Sequence, residues 1–273
     1  GGIRMENTRI IGNATNDSSD FEYNYTNLFP SAAIKYTVKE KNDFQVVYSK
    51  RVNRPNAQNL NPFTDISDPR NVRTGNPELQ PEYIDSYEFN YFRKIKEHSI
   101  SATLYYRYTK NLISRFRTID PITGVSTMTF INYSSSSNTG VEIVLKNQFG
   151  KAVSSTTTFN YFNNKINGAN IDAALQSSSN NWTLRSNINI KASKTTSLQI
   201  TGMYMSAIRN PQGTFKGMSG VDIGARRDFL NGKLNVSINI TDVFDTRKMV
   251  IHNVGEGFIY DAQRKRESQV GNF

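Results

Sequence analysis

The chain has 273 residues, with 33 Lys and Arg against 23 Asp and Glu, for a formal net charge of +10. Cysteine is absent, only 2 His occur and there is no run of about 18 apolar residues, which excludes a disulfide scaffold, a thiolate metal site and a transmembrane helix. Aromatic residues make up 11%, too many for a disordered chain, and the cations are scattered, so the charge by itself points to no nucleic-acid partner.

In chain order, Gly1-Gly2-Ile3-Arg4-Met5 lacks the long apolar core of a signal peptide, so a removed leader or a start within a longer protein is expected. From there period-two alternation dominates, and successive strand side chains point to opposite faces of a sheet. Strands are expected over 31–38, 44–51 and 83–92. In the next, Ile100, Ala102, Leu104, Tyr106 and Tyr108 alternate with Ser99, Ser101, Thr103, Tyr105, Arg107 and Thr109. Others follow over 141–146, 156–162, 198–205 and 219–226. The clearest alternation sets Trp182, Leu184, Ser186, Ile188 and Ile190 against Thr183, Arg185, Asn187, Asn189 and Lys191. Near the end, Leu234, Val236, Ile238 and Ile240 alternate with Asn235, Ser237, Asn239 and Thr241.

The connections alternate in length. Short ones fall at Lys39–Asp43, Lys94–His98, Phe149–Ala152, Ser193–Thr196 and Asn231–Lys233; long ones at 12–27, 54–80, 113–124 with a continuation to about 138, 167–180, 208–217 and 245–265. All prolines fall at strand starts or in connections, where a missing N–H harms no ladder. In an up-and-down sheet every second connection lies at one end, so one end carries tight turns and the other long loops, as in outer-membrane barrels. The fold class is therefore all-β: an antiparallel up-and-down meander, part of a transmembrane outer-membrane β-barrel. A soluble sandwich would turn the same apolar faces inward; loop asymmetry and the Tyr/Phe excess near strand ends favour the barrel.

Four segments carry a resemblance. Tyr48-Ser-Lys-Arg-Val-Asn-Arg-Pro55 with Asn59-Leu-Asn-Pro-Phe63, Gly75-Asn-Pro-Glu-Leu-Gln-Pro-Glu-Tyr83, Asn24-Tyr-Thr-Asn-Leu-Phe-Pro-Ser31 and Asn239-Ile-Thr-Asp-Val-Phe-Asp-Thr246 are similar to segments of TonB-dependent receptors of the outer-membrane β-barrel family. The resemblance implies a barrel of about 22 strands with an N-terminal plug, which imports a scarce ligand (siderophore, vitamin or glycan) with energy from the TonB complex. It further implies that residues 1–273 are the C-terminal part of such a barrel, with plug and final strand absent. Its partners are then outer-membrane lipid, the TonB complex through an N-terminal region not in this sequence, an imported ligand, and a surface lipoprotein as a further candidate. The alternative is a non-transporting pore or a cell-surface β-sheet binding module. An open half-barrel leaves two unpaired edges and an apolar outer face, so in isolation its apolar faces are expected to pack together or its edges to pair with another copy.

No catalytic constellation emerges, so no enzyme is expected, and no cofactor or metal. His98 sits in a short turn, Gly213-Thr-Phe-Lys-Gly217 lacks a Walker ending, and Asp65, Asp68 and Asn71 lack EF-hand spacing. Asn-X-Ser/Thr sequons at Asn13, Asn24, Asn132, Asn181, Asn235 and Asn239 follow from many Asn and Thr on polar strand faces. Ligand contacts are expected from the long loops: Arg51, Arg54, Arg70, Arg73 and Tyr83 at loop 54–80, with Arg115, Arg117 and Trp182 bordering others, because guanidinium groups grip carboxylate or phosphate and rings stack on flat ligands. The tightest cationic run is Arg264-Lys265-Arg266.

Overall fold

A computed structural model describes residues 1–12, 21–39, 41–255, 258–265 and 267–272. Residues 13–20 of the connection expected at 12–27, with Asn13, and the residues Arg266 and Phe273 lie outside the described residues, while 21–27, expected as loop, are the start of a strand paired with Gly12 to Glu6. In chain order the strands are β1 (Gly2–Gly12), β2 (Phe21–Val38), β3 (Asn42–Asn53), β4 (Asn71–Arg73), β5 (Glu82–Ile95), β6 (His98–Ile119), β7 (Ser126–Phe149), β8 (Val153–Asn167) and β9 (Gln176–Lys191). They continue with β10 (Thr196–Met205), β11 (Ile208–Asn210), β12 (Gly213–Phe215), β13 (Met218–Phe229), β14 (Leu234–Thr241), β15 (Met249–Gly255), β16 (Phe258–Arg264) and β17 (Val270–Asn272). One short helix, α1 (Ala57–Leu60), is capped by the Asn56 side chain.

A 13-stranded sheet runs β1-β2-β3-β5-β6-β7-β8-β9-β10-β13-β14-β17, antiparallel along this path, with β4 adding to β7 in parallel. A second, 4-stranded sheet is ordered β11-β12-β15-β16. The five tight turns fall where expected, at one end of the wall, and the long connections at the other. In outer-membrane barrels the tight-turn end is the periplasmic one.

Register fixes the faces. Ile34, Val46, Phe89, Leu104, Val141, Tyr161 and Trp182 stand directly opposite one another across seven strands. Directly opposed residues share a face, so this is one apolar row. Another row links Ile188, Ile200, Ile223 and Ile240. The opposite face carries Gln45, Asn90, Thr103, Glu142, Asn160 and Thr183 in line. There Thr103 donates to Asn90 (2.7 Å) and Tyr105 to Asn160 (3.0 Å). The apolar rows stay exposed, Leu104 at 55% and Ile34 at 75%. The apolar rows thus do not pack against each other, which corrects that branch of the expectation: they lie together on one face of a sheet layer. Tyr48, Tyr87 and Tyr106 line up one row nearer the long loops, their rings 5.0 and 6.3 Å apart, as an aromatic girdle at a bilayer interface. From Tyr106 to the turn at His98 the strand crosses about 9–11 residues of bilayer.

Strands continue far past that girdle. The segment from 113 to about 138, expected as loop, is instead paired hairpin: β6 and β7 stay in register to Ile119 opposite Ser126. Likewise β8 and β9 stay paired to Asn167 opposite Gln176. The 24 residues of β7 span about 80 Å at ~3.3 Å each, well beyond a bilayer. Above the membrane these strands need partners other than the wall. On one side of β7, β4 pairs from Asn71 opposite Ser126 to Arg73 opposite Met128.

Candidate functional site

The two family-like segments of the 54–81 connection meet. Gly75 N–H donates to Asn61 O (2.8 Å) and Asn76 N–H to Asn59 O (2.6 Å), while the Asn76 side chain donates to Phe130 O on β7 (3.0 Å). Leu60 and Leu79 are buried beneath. Glu82, also buried, accepts from Ile113 N–H of β6 and from Asn53 of β3, each at 2.6 Å, and so ties three strands at the rim. This connection is therefore a built shelf that delivers Arg73 to the side of β7.

A second support comes from the other end of the chain. Asp242, with 0% exposure, accepts from Thr246 N–H and Arg247 N–H (both 3.0 Å) and from the Ser268 hydroxyl. Asp222 accepts from Asp242 N–H (2.8 Å) and pairs with Arg247 at 2.7 Å. This knot fixes the base of the connection that carries β15 and β16. Burial pushes the Asp242 carboxyl up, but the donors around it outweigh that and hold it at about 2, below its ordinary 3.8. Its contribution is complete above pH 3.8 and is lost as pH falls through about 2. Hydrogen exchange of the Thr246 and Arg247 amides should therefore lose protection across that window. Asp242→Asn, which sets an NH2 donor against other donors, should remove most of the protection at neutral pH as well; equal protection in the variant would show the carboxylate holds nothing.

Between these supports the second sheet lies against the β6 edge of the β6–β7 hairpin. The Gln212 side chain completes the free edge of β6: it accepts from Arg117 N–H (2.9 Å) and donates to Arg117 O (2.8 Å), in place of a neighbouring strand. The resulting cavity is about 510 Å³. Arg73, Arg115, Arg117 and Arg264 line it, with Tyr260, Asn210, Gln212 and Asn253 as the other main polar groups, and no described lining residue is an Asp or Glu. The Arg117 guanidinium lies 4.1 Å from the Tyr260 ring centre and donates to the Ser126 hydroxyl. Burial pulls the Arg117 pKa down, and the charges of Arg73 and Arg264 add to that against the opposing effect of Tyr260. It stays charged, because an arginine starts so high. Among the described residues none of these four arginines makes an ion pair. A smaller recess of about 180 Å³ shares Arg73, Arg117, Tyr260 and Arg264 and adds Asp65 and Asp68. Those two carboxylates are occupied by Ser67 and by Asn71 and Arg70. Among the described residues no three His, Asp or Glu gather as a metal would require.

Of the residues expected at a ligand site, Arg73, Arg115 and Arg117 converge on this cavity. Arg51 faces the inner side of β3 opposite Ile84, away from it. Arg54 is spent on Glu6 (2.6 Å) and Thr8 (2.9 Å) of β1. Arg70 is exposed in the loop, outside both spaces. Tyr83 shares the parity of Tyr87, and Trp182 that of Leu184, so both belong to the outward face. Trp182 stacks on Tyr204 at 4.4 Å there. Tyr260, Arg264 and Gln212 were outside that expectation; only the basic triplet at 264–266 marks any of them in the sequence.

The sequence profile of the outer membrane protein beta-barrel family matches residues 1–273. No curated protein matches the chain. Among solved structures, the siderophore receptor PirA from Pseudomonas aeruginosa is similar at a TM-score of 0.59 and 20% identity, over 90% of this chain and 43% of that one. A mutant of the ferric enterobactin receptor PfeA from the same organism, solved with enterobactin, is similar at 0.56 and 15%, over 81% and 36%. The copper transporter OprC is similar at 0.57 and 12%, over 83% and 35%. The chain thus spans less than half the length of these structures, and the likeness is one of fold.

Proposed function

Because the chain belongs to the outer membrane protein beta-barrel family and so resides in the bacterial outer membrane, we propose that it is wall and loops of a TonB-dependent receptor that imports a scarce ligand. We place it in the C-terminal part of such a barrel, on the order of its four family-like segments, with a plug and TonB-contacting segment carried elsewhere. The observation that supports uptake most is the arginine-lined cavity at the long-loop end, where a ligand from outside would first be held. PirA, PfeA and OprC make siderophores and copper the first ligands to try. The same end is the face open to a surface lipoprotein.

Cells carrying the gene should accumulate the labelled ligand, and a deletion strain should not. A protonophore should abolish accumulation, since the TonB complex draws on the inner-membrane proton gradient. Accumulation that survives the protonophore would make the protein a passive pore instead.

A further inference from the structure

We propose that Arg73, Arg115, Arg117 and Arg264 form a binding site for a free solute carrying two or more carboxylate or phosphate groups. This rests on the reading of the long-loop rim as the ligand face, and names the class of ligand.

Four guanidinium groups converge from three elements: Arg73 from β4 on the shelf, Arg115 and Arg117 from β6, and Arg264 from the end of β16. A folded protein that gathers like charges around a half-enclosed space normally interleaves carboxylates, because unpaired charge out of water is costly. Elsewhere in this chain partly buried arginines have such partners: Arg54 meets Glu6, Arg107 meets Glu88 and Arg247 meets Asp222. Only the smaller recess holds acids; both are hydrogen-bonded within their own loop, and Asp65 also feels the charge of Arg73 without forming an ion pair with it. The larger space is left with cations, neutral amides and the Tyr260 ring. Each guanidinium offers a planar fork of donors that fits a carboxylate or phosphate edge. Arg117 is also held in place, its backbone by Gln212 and its side chain by Tyr260 and Ser126. At about 510 Å³ the space admits a ligand with several anionic groups and is too large for a single counter-ion.

The same chemistry could be supplied by lipid phosphates of the outer leaflet. The cavity favours a solute, because Arg115 and Arg117 lie on β6 well beyond Tyr106 of the girdle, about 30 Å further along the strand at ~3.3 Å per residue, past the level of lipid phosphates.

The test uses the intact receptor in neutral detergent, titrated calorimetrically with citrate and with inorganic pyrophosphate at fixed ionic strength, and with mannitol as the uncharged probe. Both anions should bind and mannitol should not. Arg117→Gln and Arg264→Gln should each weaken anion binding by about tenfold or more, while Lys151→Gln, in a tight turn at the other end, should leave it within about twofold. Without anion, Arg264→Gln should melt no lower than the parent, since it removes a repelled charge, and should lose the rise in melting temperature that citrate gives the parent. Equal binding of mannitol, or anion binding untouched in both arginine variants, would overturn the site. Displacement of citrate by lipid A micelles, lost in Arg264→Gln, would assign the site to lipid and overturn the solute. Anion binding without accumulation in cells would retain the site and defeat the uptake reading; accumulation of an uncharged ligand without anion binding would do the reverse.

Discussion

Leu104→Arg should destabilise the wall by about 2–4 kcal/mol in lipid vesicles, the cost of an arginine on the lipid face near the bilayer midplane. Leu104 sits on β6 between Tyr106 and Tyr108 toward the long loops and His98 at the tight turn, and its neighbours across the sheet are Phe89 and Val141. Two companions give the result its meaning. Tyr108→Arg is on the same face but nearer the interface, where the cost falls to about 0–1 kcal/mol. Thr103→Arg is on the inner face and loses its bond to Asn90, a matter of about 1 kcal/mol. A gradient with depth on the outer face and a small effect on the inner one is what lipid produces. The measurement is a urea titration of the receptor reconstituted in vesicles. Equal costs at Leu104 and Tyr108 would mean that the apolar rows are covered by protein.

The same contrast between faces explains which strands are legible in the sequence. Where a strand crosses lipid, one face must be apolar and the other wet, so Leu104, Tyr106 and Tyr108 stand out against Thr103, Tyr105 and Arg107. Above the girdle there is no lipid, and both faces meet water or protein. Arg115-Phe116-Arg117 and Ser134-Ser-Ser-Ser137 therefore carry no alternation that reports a strand, and the hairpin is held by backbone pairing instead. The membrane-crossing part is thus readable and the outer extension is not, although they are the same strands.

The cavity divides in a similar way. Arg73, Arg115 and Arg117 border long connections, and that position alone marks them as candidates. Arg264 and Tyr260 reach the cavity only because β15 and β16 pair with the β11–β12 hairpin, whose turn residue Gln212 is anchored on β6. Nothing in a linear sequence records that return across more than ninety positions. Parity, by contrast, is local. It assigns Trp182 to the face of Leu184, Ile188 and Ile190, so its place among the outward rings of Phe159 and Tyr204 follows from its own strand.

Gly75→Ala should unclip the shelf under Arg73. A Cβ at this position would stand 2.4 Å from Asn61 O, 2.6 Å from Asn59 O and 2.8 Å from Asn61 N, all backbone atoms that no rotamer change can move aside. To admit the methyl the chain must separate the two segments, which breaks Gly75 N–H to Asn61 O and Asn76 N–H to Asn59 O. Steric displacement of this kind costs about 1–3 kcal/mol, and each lost bond adds about 1 kcal/mol. A total of about 3–5 kcal/mol corresponds to opening of the shelf on the order of a hundredfold to a few thousandfold more often. The effect should stay local, because the wall strands pair with one another and do not depend on the shelf. Hydrogen exchange should thus speed up at Thr74, Gly75 and Asn76 and remain unchanged at Thr103 and Leu104. Thr74 N–H bonds to Met128 O directly after Arg73, so loss of the shelf also frees Arg73 from the cavity wall, and anion affinity should fall with it. Unchanged exchange at Thr74 and Asn76 would mean that the two family-like segments do not lock together. Faster exchange with full anion affinity would mean that Arg73 reaches the ligand without the shelf.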